Sequence, residues 1–197
     1  MDEGIIKFQA NWRRGAAFDS NLLQDLVYYR QLLYDRELIG IYPNGIGYGN
    51  ISRRIDDDGR FFISGSGTGG LAALKPEHFS RVTAVVAAEN RLDCEGPIIA
   101  SSESMSHSAF YELSTNIGAV IHVHNGELWR NLLYQVPTTP PSVPYGTPEM
   151  HDAIQELWHH SNLEQHGIVV MHGHEEGIFT FGADLDAAYR ALLAFLD

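Results

Sequence analysis

The stretch AVIHVHNGELW, residues 119–129, interrupts an apolar run with two histidines one residue apart. Side chains alternate faces along a β-strand, so His122 and His124 share one face while Ile121 and Val123 share the other. Two imidazoles on one face can grip one metal ion. A single buried histidine is more often a hydrogen-bonded core residue, so the pair alone does not decide. The strand GAVIHVH is followed directly by NGELWRNLLY, which has helical spacing, and along the chain strands come in clusters with helices interspersed.

Downstream, TPEMHDAIQELWHH reads as a helix with Thr147 as cap and Pro148 in its first position. GIVVMHG and GIFTFG read as two more strands, and DLDAAYRALLAFL as a closing amphipathic helix. Upstream, DSNLLQDLVYYRQLLYDRELIG carries apolar residues at helical spacing after Asp19 or Ser20 as N-cap. NISRRI and RFFIS flank the acidic turn DDDG as a hairpin. TAVVAAE and CEGPIIA read as strands separated by Asn90, and 102–114 as a helix. The fold expected is α/β: one layered domain over residues 1–197, with helices flanking a central mixed, mostly antiparallel sheet.

A chain of 197 residues can bury about 70% of its unfolded surface without disulfides or a structural metal, so a bound metal would serve chemistry. No apolar run approaches the roughly 20 residues of a membrane helix, which argues against insertion. The N-terminus opens with acid and has no basic segment leading into an apolar core, so no secretory signal is read and a cytoplasmic location is expected. Cys94, the single cysteine, has no internal partner and reads as a buried or strand-end thiol. A formal charge of −12 argues against nucleic acid, whose binding rests on Lys and Arg. A small anion is still compatible, because backbone N–H groups can cradle phosphate whatever the net charge.

Four clusters carry candidate chemistry. The first is His122 and His124. In the second, VVMHGHEEG, His172 and His174 repeat the His-x-His theme at a strand exit, and one of them could complete the three-ligand set of a catalytic metal site. The other histidines read as structural or solvated, with His78 and His151 on helical faces without partners. The third is ASSESMSHSAFYEL: with Ser102 as cap, Glu103 falls in the first helical turn and His107 one turn on. An isolated first-turn Glu merely complements the helix dipole, whereas beside a metal it can act as general base or acid. The fourth comprises the glycine loops 45–52 and 64–70, which can aim N–H groups at an anion, with Ser101 and Ser102 at a helix N-terminus as a further contact. Residues 65–70 also spell GxGxxG, but Pro76 would interrupt the helix that a dinucleotide fold requires.

Taken in order, these clusters resemble the class II aldolase/adducin family, the group that includes fuculose-phosphate aldolase. The matching residues run from about 40 to the end: Gly49, Asn50 and Ser52 as GN-x-S, Ser66-Gly67, SSE at 101–103, H-x-H at 122 and 124, YGTPE at 145–149, and His-Glu-Glu-Gly followed by G-x-D-L-x-x-A. The resemblance implies one divalent metal per subunit, zinc first with Mn2+ or Co2+ as alternatives, on His122, His124 and a later histidine. His174 is chosen over His172 because it stands nearer the glycine. It implies Glu103 as acid/base and Asn50, Ser66, Gly67, Ser101 and Ser102 as contacts to the phosphate of a sugar phosphate. Family epimerases carry Asp where Glu103 stands, which tilts the expectation to aldol cleavage of a phosphorylated ketose or hydroxy-ketone through a metal-stabilised enediolate. Dehydration or decarboxylation within the family, a metallohydrolase, and a non-catalytic adducin-like binding domain are the alternatives.

Family members are commonly tetramers, so a homo-oligomer is expected. Three departures stand out: two residues between His174 and Gly177, a short loop before Tyr145, and an end at Asp197 that lacks the family's tail tyrosine.

Overall fold

The computed structural model describes residues 4–196. Its elements are β1 (Gln9–Arg14), α1 (Gln24–Asp35), β2 (Gly40–Ile41), β3 (Gly47–Tyr48), β4 (Asn50–Arg54), β5 (Phe61–Ser64), β6 (Phe79–Val86) and β7 (Arg91–Gly96). They continue with α2 (Ser104–Leu113), β8 (Ala119–His124), α3 (Gly126–Leu132), β9 (Thr138–Thr139), α4 (Pro148–His160), α5 (Leu163–His166), β10 (Ile168–Met171), β11 (Gly177–Gly182) and α6 (Leu185–Leu193). One sheet runs β1-β7-β6-β5-β4-β8-β11-β10-β9, antiparallel except at its two outermost pairs, β1 with β7 and β9 with β10. The mixed, mostly antiparallel α/β sheet expected from sequence is thus present. No helix among the described residues is long and apolar enough to cross a membrane.

β8 lies inside the sheet, and all six of its residues are buried. Its Val120 packs with Phe61, Ile63, Phe179 and Phe181 beneath Met105, Ala109 and Phe110 of α2 and Met150 and Ile154 of α4. On the opposite face Ile121 and Val123 join Ile51, Val170 and Ile178 beneath Leu26 and Leu33 of α1 and Leu185, Ala188 and Leu192 of α6. Helices therefore cover both faces, and the central strand reads as a nearly continuous apolar run for that reason. The two histidines of β8 lie on the α2 side.

Three local expectations need correction. β1 has no counterpart in the sequence reading: QANWRR is an edge strand with mainly exposed side chains, so it lacks the alternation that marks a half-buried strand. CEGPIIA is strand only to Gly96, whose φ of +132° turns the chain away before Pro97; beyond it only Ala100 rejoins, as a bridge to Gly65. The first α-helix begins at Gln24, because Asp19 caps a separate 3-10 turn by accepting from the N–H of Asn21. Cys94 is buried, and burial is the main cause of its raised pKa.

His78 and His151 do have partners. Nδ1 of His78 accepts the N–H of Lys75 at 3.0 Å. His151 of α4 stands 3.0 Å from Glu112 of α2 and 3.4 Å from Asp152, tying together the two helices over the site. Burial works to lower the pKa of His151, but the Glu112 and Asp152 carboxylates outweigh it and leave the pKa above 6.5. The charged imidazole is thus favoured in the folded state. Its stabilisation is complete below the unfolded pKa and is lost as pH rises through the folded one. Denaturant midpoints should therefore fall as pH rises above about 6.5, and His151→Gln should flatten that slope.

Candidate metal centre

The antiparallel register places Asn50 of β4 and Phe179 of β11 on either side of His122. Residues directly opposite in a ladder share a face, so Asn50 and the histidines of β8 point to the same side. His174 arrives from the turn between β10 and β11, which loops back so that the N–H of Gly177 bonds to the His174 carbonyl at 2.9 Å. His122, His124 and His174 are 0%, 4% and 6% exposed, and they offer one ring nitrogen each within 4.8 Å of one another. His172 lies apart, with Nδ1 2.5 Å from the hydroxyl of Tyr134.

Hydrogen bonds settle which nitrogens face inward. Nδ1 of His122 lies 3.2 Å from the Ile178 carbonyl, which can only accept, so Nδ1 carries the proton. Nδ1 of His124 lies 2.7 Å from the hydroxyl of Tyr42, which itself donates to Glu176 at 2.8 Å, so this Nδ1 is protonated too. Both Nε2 atoms then present lone pairs to each other at 3.1 Å. A shared proton is disfavoured, because burial holds the pKa of His124 well below 6.5. A metal ion removes the clash, since two nitrogens bound tetrahedrally to zinc at 2.0–2.1 Å stand about 3.3 Å apart. The residues fit a divalent ion.

Glu103 sits against this triad. Its Oε1 lies 3.3 Å from Nδ1 of His174 and 3.9 Å from Nε2 of His122, while its Oε2 accepts the hydroxyl of Ser106 at 2.8 Å. Burial pushes the carboxyl pKa up, but His174, His122 and Ser106 together bring it down to about 2. The carboxylate is therefore ionised at neutral pH although only 1% exposed.

Glu103 is itself the residue at the N-cap position of α2, one residue before the expected first turn, and Ser102 is not the cap. The Oγ of Ser101 accepts the N–H of Glu103 at 3.3 Å. The YGT motif supports the same turn, because Gly146 donates to Ser106 at 3.3 Å. With φ at +66° and a Cβ placed there only 2.3 Å from the Ser102 carbonyl, position 146 admits only glycine.

The remaining anion-loop residues gather beside this site. Gly65 bridges Ala100, and the N–H of Ser66 bonds to the Ile99 carbonyl at 3.0 Å, so the Ser66-Gly67 loop runs alongside the approach to Ser101 and Ser102. Gly67 has φ +75° and nothing near its missing side chain, while Ser101 and Ser102 are buried. The structure thus joins Asn50, Glu103, His122, His124 and His174 in one cluster and sets Ser66, Gly67, Ser101 and Ser102 in two adjoining loops.

Four sets of supporting contacts are not legible in the sequence. Arg30 of α1, 1% exposed, donates to the carbonyls of Thr68 and Gly69 at 3.2 and 2.7 Å and so pins the 64–70 loop from behind. A buried chain runs from the Tyr111 hydroxyl to Ser52 at 2.7 Å, from Ser52 to Nδ1 of His107 at 2.6 Å, and from Nε2 of His107 to Oδ1 of Asn50 at 2.5 Å. The Asn50 amide oxygen can only accept, so the neutral His107 donates to it from Nε2, Nδ1 of His107 accepts from Ser52, and Ser52 in turn accepts from Tyr111. Burial lowers the His107 pKa to about 3, which keeps it a neutral link. The ring of Tyr145 stacks on His174 at 4.6 Å, and Tyr42 and Glu176 back His124. Asn50, Ser52, His107 and Tyr145 lie in motifs legible in the sequence, but the partners each of them meets are not.

A family model described as the class II aldolase and adducin N-terminal domain matches residues 24–196. Among solved structures, L-fuculose 1-phosphate aldolase superposes with a TM-score of 0.67 at 19% identity, covering 90% of this chain and 82% of that one. A sugar-phosphate aldolase from Thermotoga maritima gives 0.65 at 16% identity, covering 89% and 90%. YgbL from Klebsiella pneumoniae, whose description leaves aldolase, epimerase and decarboxylase open, gives 0.65 at 19% identity, covering 90% and 86%. No curated protein sequence matches the chain. At these identities the structural likenesses speak to the fold, while the family model spans most of the sequence: the chain belongs to the class II aldolase and adducin family.

Proposed function

We propose that the protein is a divalent-metal-dependent lyase that cleaves a phosphorylated ketose or related hydroxy-ketone. The observation that carries this reading is the pair of Nε2 lone pairs 3.1 Å apart beside an ionised, buried Glu103. His122, His124 and His174 would hold the ion, zinc first with Mn2+ or Co2+ as alternatives. When bound, it would supply positive charge to the oxygen on which negative charge develops as the carbon–carbon bond breaks.

Glu103 starts as a base, within reach of a proton on a substrate seated against the triad, and returns that proton to the carbon left behind. Ser106 keeps its second oxygen turned away. Asn50, with its amide oxygen taken by His107, offers its NH2 group to the phosphate together with Ser66, Gly67, Ser101 and Ser102. A homotetramer in the cytoplasm completes the proposal, as the family resemblance suggests.

The test is to incubate metal-loaded protein with a panel of sugar phosphates and keto acids in deuterated water. The lyase reading expects deuterium at the carbon next to the carbonyl of a ketose phosphate, with release of an aldehyde. Phosphate-ester or amide hydrolysis without exchange would identify a metallohydrolase instead, and loss of CO2 from a keto acid the decarboxylase of the same fold.

A further inference from the structure

Tyr42 stands in the turn joining β2 to β3, far in sequence from every histidine of the site. Its hydroxyl nevertheless lies 2.7 Å from Nδ1 of His124 and 2.8 Å from Oε2 of Glu176. The three groups form a carboxylate–phenol–imidazole chain with one allowed direction. The carboxylate can only accept, so the phenol donates to it; the phenol oxygen then accepts from Nδ1–H of His124, and Nε2 is left as the electron-pair donor.

The surroundings hold Glu176 for this contact. It is one of the few residues other than glycine with positive φ, at +68°, a conformation that L side chains adopt only under constraint. Its carbonyl accepts the N–H of Asn125, the residue after His124, at 3.0 Å. Position 126 is glycine, and a Cβ there would stand 2.9 Å from the carboxylate Oε1. Tyr42 is likewise braced, its ring 4.5 Å from that of Tyr48 and edge-on to His124 at 6.0 Å.

We propose that Tyr42 and Glu176 are positioning residues that lock His124 in its Nδ1–H tautomer and so set how tightly the triad holds a divalent ion. This assigns a purpose to the two residues that separate His174 from Gly177: they extend the turn so that a carboxylate reaches the far side of His124. The proposal rests on the metal reading above. Partners of this kind raise the basicity of a ligating imidazole and fix its ring, and removing them typically weakens metal binding about 10- to 100-fold.

The experiment compares wild type, Tyr42→Phe, Glu176→Gln and, as control, Glu175→Gln, whose exposed side chain lies outside the chain of contacts. Each is titrated with zinc against a chromophoric chelator, and the histidine ring nitrogens are followed by NMR in the metal-free proteins. Tyr42→Phe should weaken zinc affinity about 10- to 100-fold and move His124 from a single Nδ1–H tautomer to a mixture, Glu176→Gln should shift both in the same direction, and Glu175→Gln should match wild type. Wild-type affinity and an unchanged tautomer in Tyr42→Phe would overturn this proposal alone. A wild type that takes up no stoichiometric zinc would overturn the metal reading and this one with it. Thermal unfolding of each variant guards against misfolding, and the tautomer shift in folded protein keeps the test decisive if zinc uptake is lost for other reasons.

Discussion

Replacing both His122 and His124 by alanine is expected to abolish the response of the protein to zinc. Wild type should gain stability on binding, by about 4 kcal/mol when free metal is a thousandfold above Kd. For a chain of this size that is a rise in Tm of about 8–16 °C. The double variant should show no rise and should carry no stoichiometric ion after purification without chelators. Loss of two of the three ligands removes the site, while the apo proteins should differ much less. In wild-type apo protein the facing Nε2 lone pairs repel at 3.1 Å, so their removal relieves strain as it opens a cavity. Calorimetry with and without zinc measures both effects. A double variant that still gains stability with zinc would refute the triad.

Glu103→Gln should leave metal binding in place and reduce exchange of the α-proton of a ketose phosphate by about 10²- to 10⁴-fold. The amide keeps the shape of the carboxylate and can still accept the Ser106 hydroxyl, so the turn 101–106 should hold. What disappears is the anionic base, which the neighbouring His174 and His122 keep ionised against the pull of burial. Exchange is read by mass spectrometry of the recovered ketone, and metal content by elemental analysis of the same sample. Unchanged exchange in a folded, metal-loaded variant would remove Glu103 from the proposed mechanism.

Much of the architecture is legible in the sequence. β8 announced itself because both of its faces are buried, and the β4–β5 hairpin because its turn is acidic and ends in glycine. α4 was marked by Thr147 and Pro148, and the observed N-cap and first helical residue are those two. β1 was silent, because an edge strand exposed to solvent needs no apolar pattern. The strand proposed through PIIA failed at Gly96, whose φ of +132° turns the chain out of the sheet.

At the site, the sequence by itself determined the chemical groups. The period of two in a strand puts His122 and His124 on one face, and the SSE turn puts a carboxylate at the start of a helix. Which histidine joins them was open in one dimension, since His172 and His174 are both near the strand exit. The turn between β10 and β11 decided it by carrying His174 to the pair and leaving His172 with Tyr134.

The supporting groups belong to the tertiary structure alone. Tyr42 meets His124 across 82 positions and Glu176 across 134, and Asn50 meets His107 across 57. Local periodicity reports which face a side chain occupies, but a hydrogen bond between distant segments depends on sheet order and register. Those follow from how two apolar cores close on opposite faces of β8.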